Sequence, residues 1–272
     1  MRNSRWAFYL TLLMTAVFLL AAAFLLDKAQ RSTFPADSQS REITAEPEDS
    51  NPENAAPKTT KEESARSFES VQPEEEPPDR PEPAIQGSFS LTIPFLSQAP
   101  YAVWDPLHEE ACEEASLIMV RAFYDQREEI PIEQGESEIQ ALVAYESDNG
   151  FGPSITLQEL AKIALDYSGM KNSRIVTSPT INGIKEEILA KRPVIIPAAG
   201  KILPNPNFRN GGPNYHMLVI KGFTETGFIT NDPGTRKGND FFYKYGDLMN
   251  AIHDWDAGNI LNGQKAYLVF DQ

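Results

Sequence analysis

The chain contains little cysteine and little histidine. Cys112 is the only cysteine among 272 residues, and the three histidines are His108, His216 and His253. A single cysteine cannot form an internal disulfide, and it is too few for a thiolate zinc or iron–sulfur site. The histidines have no close metal-ligand spacing. The sequence therefore predicts no metal site and no cofactor.

Positive charge is also scarce. The chain has 24 lysine and arginine residues against 39 aspartate and glutamate residues, which gives a formal net charge of -15. A protein that binds nucleic acid needs a basic surface to contact the phosphates. We therefore expect no nucleic-acid partner.

Charged residues are absent from one long apolar run near the N-terminus, which extends from Trp6 to Leu26. At about 1.5 Å per residue a helix of this length spans roughly 31 Å, the thickness of a bilayer core. A cleaved signal peptide has a shorter apolar core, of about 7–15 residues. We therefore predict an uncleaved signal-anchor over residues 1–28. Arg2 and Arg5 favour a cytoplasmic N-terminus, with the rest of the chain outside the cytoplasm.

Large apolar side chains are nearly absent from residues 29–87. This segment has nine prolines, fourteen acidic and six basic residues. Such a composition cannot bury enough surface to offset the conformational entropy of folding. We interpret residues 29–87 as a disordered acidic linker. Residues 88–272 have the composition of a globular domain, and their number suits a single domain.

Apolar periodicity predicts both helices and strands in residues 88–272. Helices are predicted from Cys112 to about Gln126 and over 156–169, 181–192 and 246–255. Strands are predicted over 88–96, 193–199, 215–223, 227–232 and 265–270. Residues 201–214 contain too much proline, glycine and asparagine for either element, and long loops of this kind are often functional. Helices come before most of the strands, which indicates the α+β class.

Three residues of the predicted globular domain could together carry out nucleophilic catalysis. Cys112 stands in the first turn of a predicted helix, where free N–H groups and the helix dipole favour a thiolate. His216 opens the strand after the long loop and could take the thiol proton. Asp232 closes the next strand, so a hairpin would bring it to the same open end as His216.

The facing of these two side chains depends on the hairpin register. His216 and Asp232 point to the same side if the numbers of opposed residues sum to an even value. A three-residue turn would give this register. A two-residue turn would not, unless a bulge intervened. Asn231 is the alternative orienting residue.

Four glutamates surround Cys112 in the sequence, and like charge disfavours a thiolate. Acidic residues also suit a helix N-terminus, and successive helical residues turn about 100° away from each other. We therefore expect Glu113 and Glu114 to point away from the sulfur. Two alternatives stay open: Cys112 could be a small buried apolar residue, and His108 could be a rival base.

The segments IPFLSQAP, ACEEASLIMV, RPVIIPA, NYHMLVIKGF and ITNDPGT resemble, in this order, the cysteine peptidase family 39-like domains. These are papain-like relatives of peptidases that cleave bacteriocin leaders after a double glycine. The resemblance implies a papain-like fold, with N-terminal helices packed on an antiparallel sheet. It also implies that Cys112 is the nucleophile, His216 the base and Asp232 the residue that orients the base, and that Gln98 donates to the oxyanion. Family members often have Gly and Pro after the cysteine, whereas Glu113 follows it here.

The sequence thus predicts a membrane-anchored thiol hydrolase that cleaves peptide bonds outside the cytoplasm. Its expected location is the cell membrane, with a single span, and its expected partners are peptides or proteins. Candidate substrate-cleft residues are Trp104, Asp105, Glu113 and Asn214. Peptidoglycan amide cleavage or transpeptidation on the same scaffold remains open, as does a non-catalytic, tethered peptide-binding module. The bacteriocin-leader substrate is not carried over, because those domains are fused to exporters on the cytoplasmic side.

Overall fold

The computed structural model describes residues 84–271. The predicted signal-anchor and nearly all of the predicted linker lie outside the described residues. Within residues 84–271, none of the helices is both long enough and apolar enough to cross a membrane.

One antiparallel sheet forms the centre of the described part. Its seven strands are β1 (Phe89–Ser90), β2 (Ser173–Thr177), β3 (Val194–Ala199), β4 (Tyr215–Phe223), β5 (Gly227–Asn231), β6 (Phe241–Lys244) and β7 (Ala266–Phe270). Six of them run in the order β2-β7-β3-β4-β5-β6, and β1 pairs with the end of β4. Together with the helices, this sheet confirms the predicted α+β class.

Six α-helices accompany the sheet in residues 84–271. They are α1 (Pro106–Glu109), α2 (Cys112–Tyr124), α3 (Ile132–Asp148), α4 (Leu157–Asp166), α5 (Ile181–Leu189) and α6 (Tyr245–Ala251). Helix α4 begins with a capping box, in which the Thr156 and Glu159 side chains accept from each other's backbone N–H groups. The predicted loop 201–214 contains only two short 3₁₀ turns, Gly200–Ile202 and Arg209–Gly211.

The core is built around α2 and β4. Every residue of β4 is buried, and so are most residues of α2. The packing of α2 on β4 therefore holds the start of α2, at Cys112, against the strand that carries His216.

The structure differs from the predicted elements in several places, and strand β2 was also not predicted. The opening strand, predicted over 88–96, is limited to Phe89–Ser90. Pro94, which cannot donate a hydrogen bond to a sheet, interrupts the rest of the predicted span. Helix α3 was not predicted. Its 17 residues bury only Gly135, Ile139, Leu142 and Glu146, so its apolar stripe is thin.

A bulge sets the register of the β4–β5 hairpin. Next to the turn, Phe223 lies opposite Phe228, which is an odd sum. The register shifts between Ile220 and Gly222, and beyond it Val219 lies opposite Asn231, which is an even sum. Lys221 is the extra residue that forms this bulge. The bulge produces the even register, which the turn alone does not give.

Candidate active site

His216 and Asp232 form a buried pair. Their side chains are 1% and 0% exposed, and His216 Nε2 lies 2.8 Å from Asp232 Oδ1. The even register beyond Lys221 brings both side chains to one face of the sheet. Since a carboxylate only accepts hydrogen bonds, this contact assigns the ring proton to Nε2.

Three further groups hold the Asp232 carboxylate. The Gly234 N–H donates to Oδ1 at 3.0 Å, and Oδ2 accepts from Asn205 Nδ2 at 3.0 Å and from the Tyr243 hydroxyl at 2.6 Å. Burial alone would raise the pKa of Asp232, but His216, Tyr243 and Gly234 outweigh it, and the net pKa is lowered. Asp232 is therefore an ionised acceptor.

The second ring nitrogen of His216 is free of protein partners. Nδ1 is buried and has no hydrogen bond. Phe208 meets the imidazole edge-on, with the ring centroids 5.3 Å apart. Gly234 lies against the ring, since a Cβ there would be 2.8 Å from Cε1 of His216. The ring is thus held in place, with one acceptor unoccupied.

Cys112 is the first residue of α2 and is 4% exposed. Its pKa is raised well above the usual value, first by burial and then by Glu113 and Glu114, whereas a backbone hydrogen bond from Met217 acts in the opposite direction. Met217 directly follows His216 on β4. The thiol therefore lies beside the strand segment that carries the imidazole.

Glu113 contacts the thiol, so the expectation that it points away from the sulfur is wrong. Cys112 Sγ donates to Glu113 Oε2 at 2.9 Å, and Glu113 Oε1 accepts from the Ile155 N–H at 3.4 Å. The start of α2 is enclosed by the core, so the Glu113 side chain finds its partners there and not in solvent. Burial raises the pKa of Glu113 to about 8.

Two more carboxyl groups lie behind this contact. Glu114 bonds to Glu146 of α3, and both side chains are buried. Burial, together with Glu146 and Glu113, raises the pKa of Glu114 well above its usual value. Burial also raises the pKa of Glu146 to about 7. Burial thus shifts both carboxyl groups toward their neutral forms.

Gln98 lies close to the Asp232 loop, because its backbone N–H donates to the Pro233 carbonyl at 3.0 Å. Its side-chain Nε2 donates to the carbonyls of His108 at 2.8 Å and Glu109 at 3.2 Å. Its Oε1 is buried and has no partner. The Nε2 group of Gln98 is therefore hydrogen-bonded to backbone carbonyls of α1.

A cleft of about 440 Å³ is lined by three of the predicted residues, Gln98, Trp104 and Asn214. Cys112, His216 and Asp232 are not among its lining residues, although Tyr215 and Gly234 beside them are. Its walls also include Phe208, Gly234, Tyr215, Trp255, the acidic Glu109 and Glu110, and the basic Lys201 and Arg209. Of the other cleft candidates, Asp105 caps α1 by accepting from the His108 N–H at 3.0 Å, and Glu113 is buried against the thiol.

The alternative residues, His108 and Asn231, are hydrogen-bonded to other groups. His108 contacts Asp105 Oδ1 at 2.7 Å through Nδ1 and Glu136 Oε1 at 3.1 Å through Nε2. Asn231 donates from Nδ2 to the Ile93 carbonyl at 3.1 Å. Neither residue has a free group facing the site.

Sequence reasoning missed Asn205, Tyr243 and Gly234 as partners of Asp232. The Asp–Pro–Gly run was a weak signal for Gly234, whereas Asn205 and Tyr243 carried none that could be read without the fold. Across residues 84–271, no cluster of three or more histidine, cysteine, aspartate or glutamate side chains is arranged to hold a metal ion.

Comparison with protein-family models identifies one family. The model of the Peptidase_C39 like family matches residues 90–258, which is more than half of the chain. No curated protein matches. A solved structure of a proposed C39-like peptidase from Bacillus anthracis is 15% identical, covers 68% of this chain and 98% of its own, and superposes with a TM-score of 0.47. On the family match, the chain belongs to the Peptidase_C39-like family.

Proposed function

We propose that residues 84–271 form a papain-like thiol hydrolase that cleaves peptide bonds with Cys112, His216 and Asp232. The observation that carries this proposal is the buried His216–Asp232 pair, whose Nε2 is bonded and whose Nδ1 is unoccupied. An imidazole in this state can accept a proton at Nδ1. The neighbouring thiol at the start of α2 supplies that proton.

The reaction begins with the transfer of the Cys112 proton to His216 Nδ1. The thiolate attacks the carbonyl carbon of the peptide, and the imidazolium then protonates the leaving amine as the C–N bond breaks. Water loses a proton to Nδ1 and attacks the thioester, which releases the acid and restores the thiol. Asp232 stays ionised throughout, since it accepts four hydrogen bonds.

The oxyanion needs donors near the thiol. The Cys112 backbone N–H lies at a helix start, where the first N–H groups have no intrahelical partner. Gln98 supplies the second donor by exchanging one of its bonds to the carbonyls of α1 for the substrate oxygen. Loss of one such donor typically costs about 3–4 kcal/mol.

The cleft lined by Trp104 and Asn214 is where we place the peptide, since it adjoins Gln98 and Gly234. We further propose that the apolar run 6–26 anchors the protein in the cell membrane and leaves the domain outside the cytoplasm. Protease added to intact cells should then release the domain. Complete protection would place it in the cytoplasm.

Hydrolysis of a mixed peptide library tests the enzymatic proposal. Wild-type protein should yield new cleavage products, and the Cys112→Ala and His216→Ala forms should not. A non-catalytic peptide-binding module is the second candidate, because the thiol is 4% exposed and bonded to Glu113. That candidate is the better one if no form cleaves and all of them bind a peptide with equal affinity.

A further inference from the structure

The contact between Cys112 and Glu113 places a second protonatable group on the reacting sulfur. Sγ and Oε2 are 2.9 Å apart, and both side chains are nearly fully buried. The resemblance to peptidases assigned no role to this contact, and the proposed mechanism does not use it. An ionised carboxylate at this distance from the sulfur would oppose the formation of the thiolate.

The position of the Glu113 proton follows from its two contacts. Oε1 accepts from the Ile155 N–H, so a neutral carboxyl carries its proton on Oε2, the oxygen that faces the sulfur. When the thiol proton is on the sulfur, Oε2 accepts from it. When that proton has moved to His216, Oε2–H can donate to the thiolate across the same distance.

We propose that Glu113 is a catalytic residue whose protonated carboxyl donates a hydrogen bond to the Cys112 thiolate. The inference rests on the proposed function. In this step the thiol proton moves to His216 Nδ1. The carboxyl proton stays on Glu113 and forms a hydrogen bond to the sulfur. No oxidant or further reactant is required.

The surroundings of Glu113 keep it neutral. The acidic groups that face it are the Cys112 thiol and Glu114 on α2, Glu146 on α3 and the Tyr215 hydroxyl on β4. Tyr215 in turn contacts Asp254. Burial is the largest cause that raises the pKa of Glu113, to about 8, and Glu146 adds to it. Glu113 is therefore mostly protonated at pH 7 and ionises as the pH rises past about 8.

Alkylation by iodoacetamide tests this inference on the full-length protein, because Cys112 is the only thiol. The rate is measured from about pH 6 to about pH 9.5 in wild-type, Glu113→Gln and Glu113→Leu proteins. Glu133→Gln is the matched control, since Glu133 is an exposed residue of α3 and its substitution removes the same charge. A melting curve of each variant establishes that it is folded.

The wild-type rate should stop rising, or fall, above about pH 8, where Glu113 ionises. Glu113→Gln keeps a neutral donor on the sulfur, so its rate at pH 7 should stay near that of the wild type and should not fall above pH 8. Glu113→Leu removes the donor and should lower the rate at pH 7 by about 10- to 100-fold, the usual effect of one hydrogen bond to a charged group.

Two results would overturn the inference alone: a Glu113→Leu rate equal to wild type at pH 7, or a Glu113→Gln profile that still falls above pH 8. If Glu113→Leu does not fold, the Glu113→Gln profile decides. The proposed function fails separately if His216→Ala leaves the wild-type alkylation rate unchanged. That result would show that His216 does not help to form the thiolate. It would contradict both the proposed function and the role proposed for Glu113.

Discussion

His216 Nε2 and Asp232 Oδ1 lie 2.8 Å apart because the β4 strand carries one extra residue. Without the bulge at Lys221, the odd register beside the turn would extend along the hairpin and turn one of the two side chains to the other face. Lys221 is held by an ion pair with Asp240 at 2.9 Å. The alignment of the proposed base and its orienting residue thus depends on a backbone irregularity five residues away from His216.

Gly234→Ala should impair hydrolysis while leaving the fold intact. A Cβ at this position would lie 2.8 Å from His216 Cε1 and 3.0 Å from Phe208 Cε1, so the imidazole must shift. Small misplacements of a catalytic group typically cost about 100-fold in rate. Gly246→Ala in α6 is the control, because a Cβ there meets nothing within 4 Å. Equal turnover in the two variants would show that the ring is not positioned by Gly234.

Tyr243→Phe should weaken the support of Asp232. The hydroxyl donates to Oδ2 at 2.6 Å, and its loss leaves a buried carboxylate with one donor fewer. The expected cost is about 1–3 kcal/mol of unfolding free energy, with turnover reduced less than in Asp232→Asn. Tyr267→Phe is the matched control, since its hydroxyl makes only a 3.4 Å contact with Glu187. Denaturant unfolding and turnover of both variants provide the comparison.

The buried acids predict a stability that declines with pH. The folded pKa of Glu146 is raised from 4.5 to about 7, so its stabilising contribution is fully present below about pH 4.5 and is lost as the pH rises through 7. Glu146→Gln removes this ionisation. It should therefore become more stable relative to wild type between pH 5 and pH 8, by about 1–3 kcal/mol.

Thermal or denaturant unfolding at both pH values checks this expectation, with Glu133→Gln as the exposed control. A wild-type protein whose stability relative to Glu146→Gln is the same at pH 5 and pH 8 would show that Glu146 is not held neutral by burial.

Substitutions of Cys112, His216 and Asp232 should have unequal costs. Cys112→Ala and His216→Ala remove the nucleophile or the base and should reduce turnover to background. Asp232→Asn leaves both reacting groups in place and should cost about 10- to 1,000-fold. The Cys112→Ala, His216→Ala double variant should be hardly worse than either single one. Additive losses would indicate that Cys112 and His216 do not act together.

Sequence patterns predicted most of the elements that hold the site, because their apolar stripes and caps are local. Helices α2 and α4 and the β4–β5 hairpin belong to this group. Helix α3 was not predicted, since most of its faces are polar and Pro131 supplies no side-chain cap.

The contacts that complete the site could not be predicted from local patterns. Asn205 and Tyr243 are 38 residues apart, and only the folded loop and the β5–β6 pairing bring them together at Asp232. The direction of the Glu113 side chain likewise depends on what covers the start of α2. Helical periodicity gives the direction in which a side chain leaves the helix axis, but it does not give the neighbouring residue that the side chain contacts.

The most direct test of the central claim is to identify the residue that carries the acyl group during turnover. Wild-type protein mixed with a peptide that it cleaves is quenched in acid, digested and mapped by mass spectrometry. We expect an acyl adduct on Cys112 in the wild type and none in the His216→Ala form. Cleavage that continues in the Cys112→Ala form, or an adduct on another residue, would contradict this expectation.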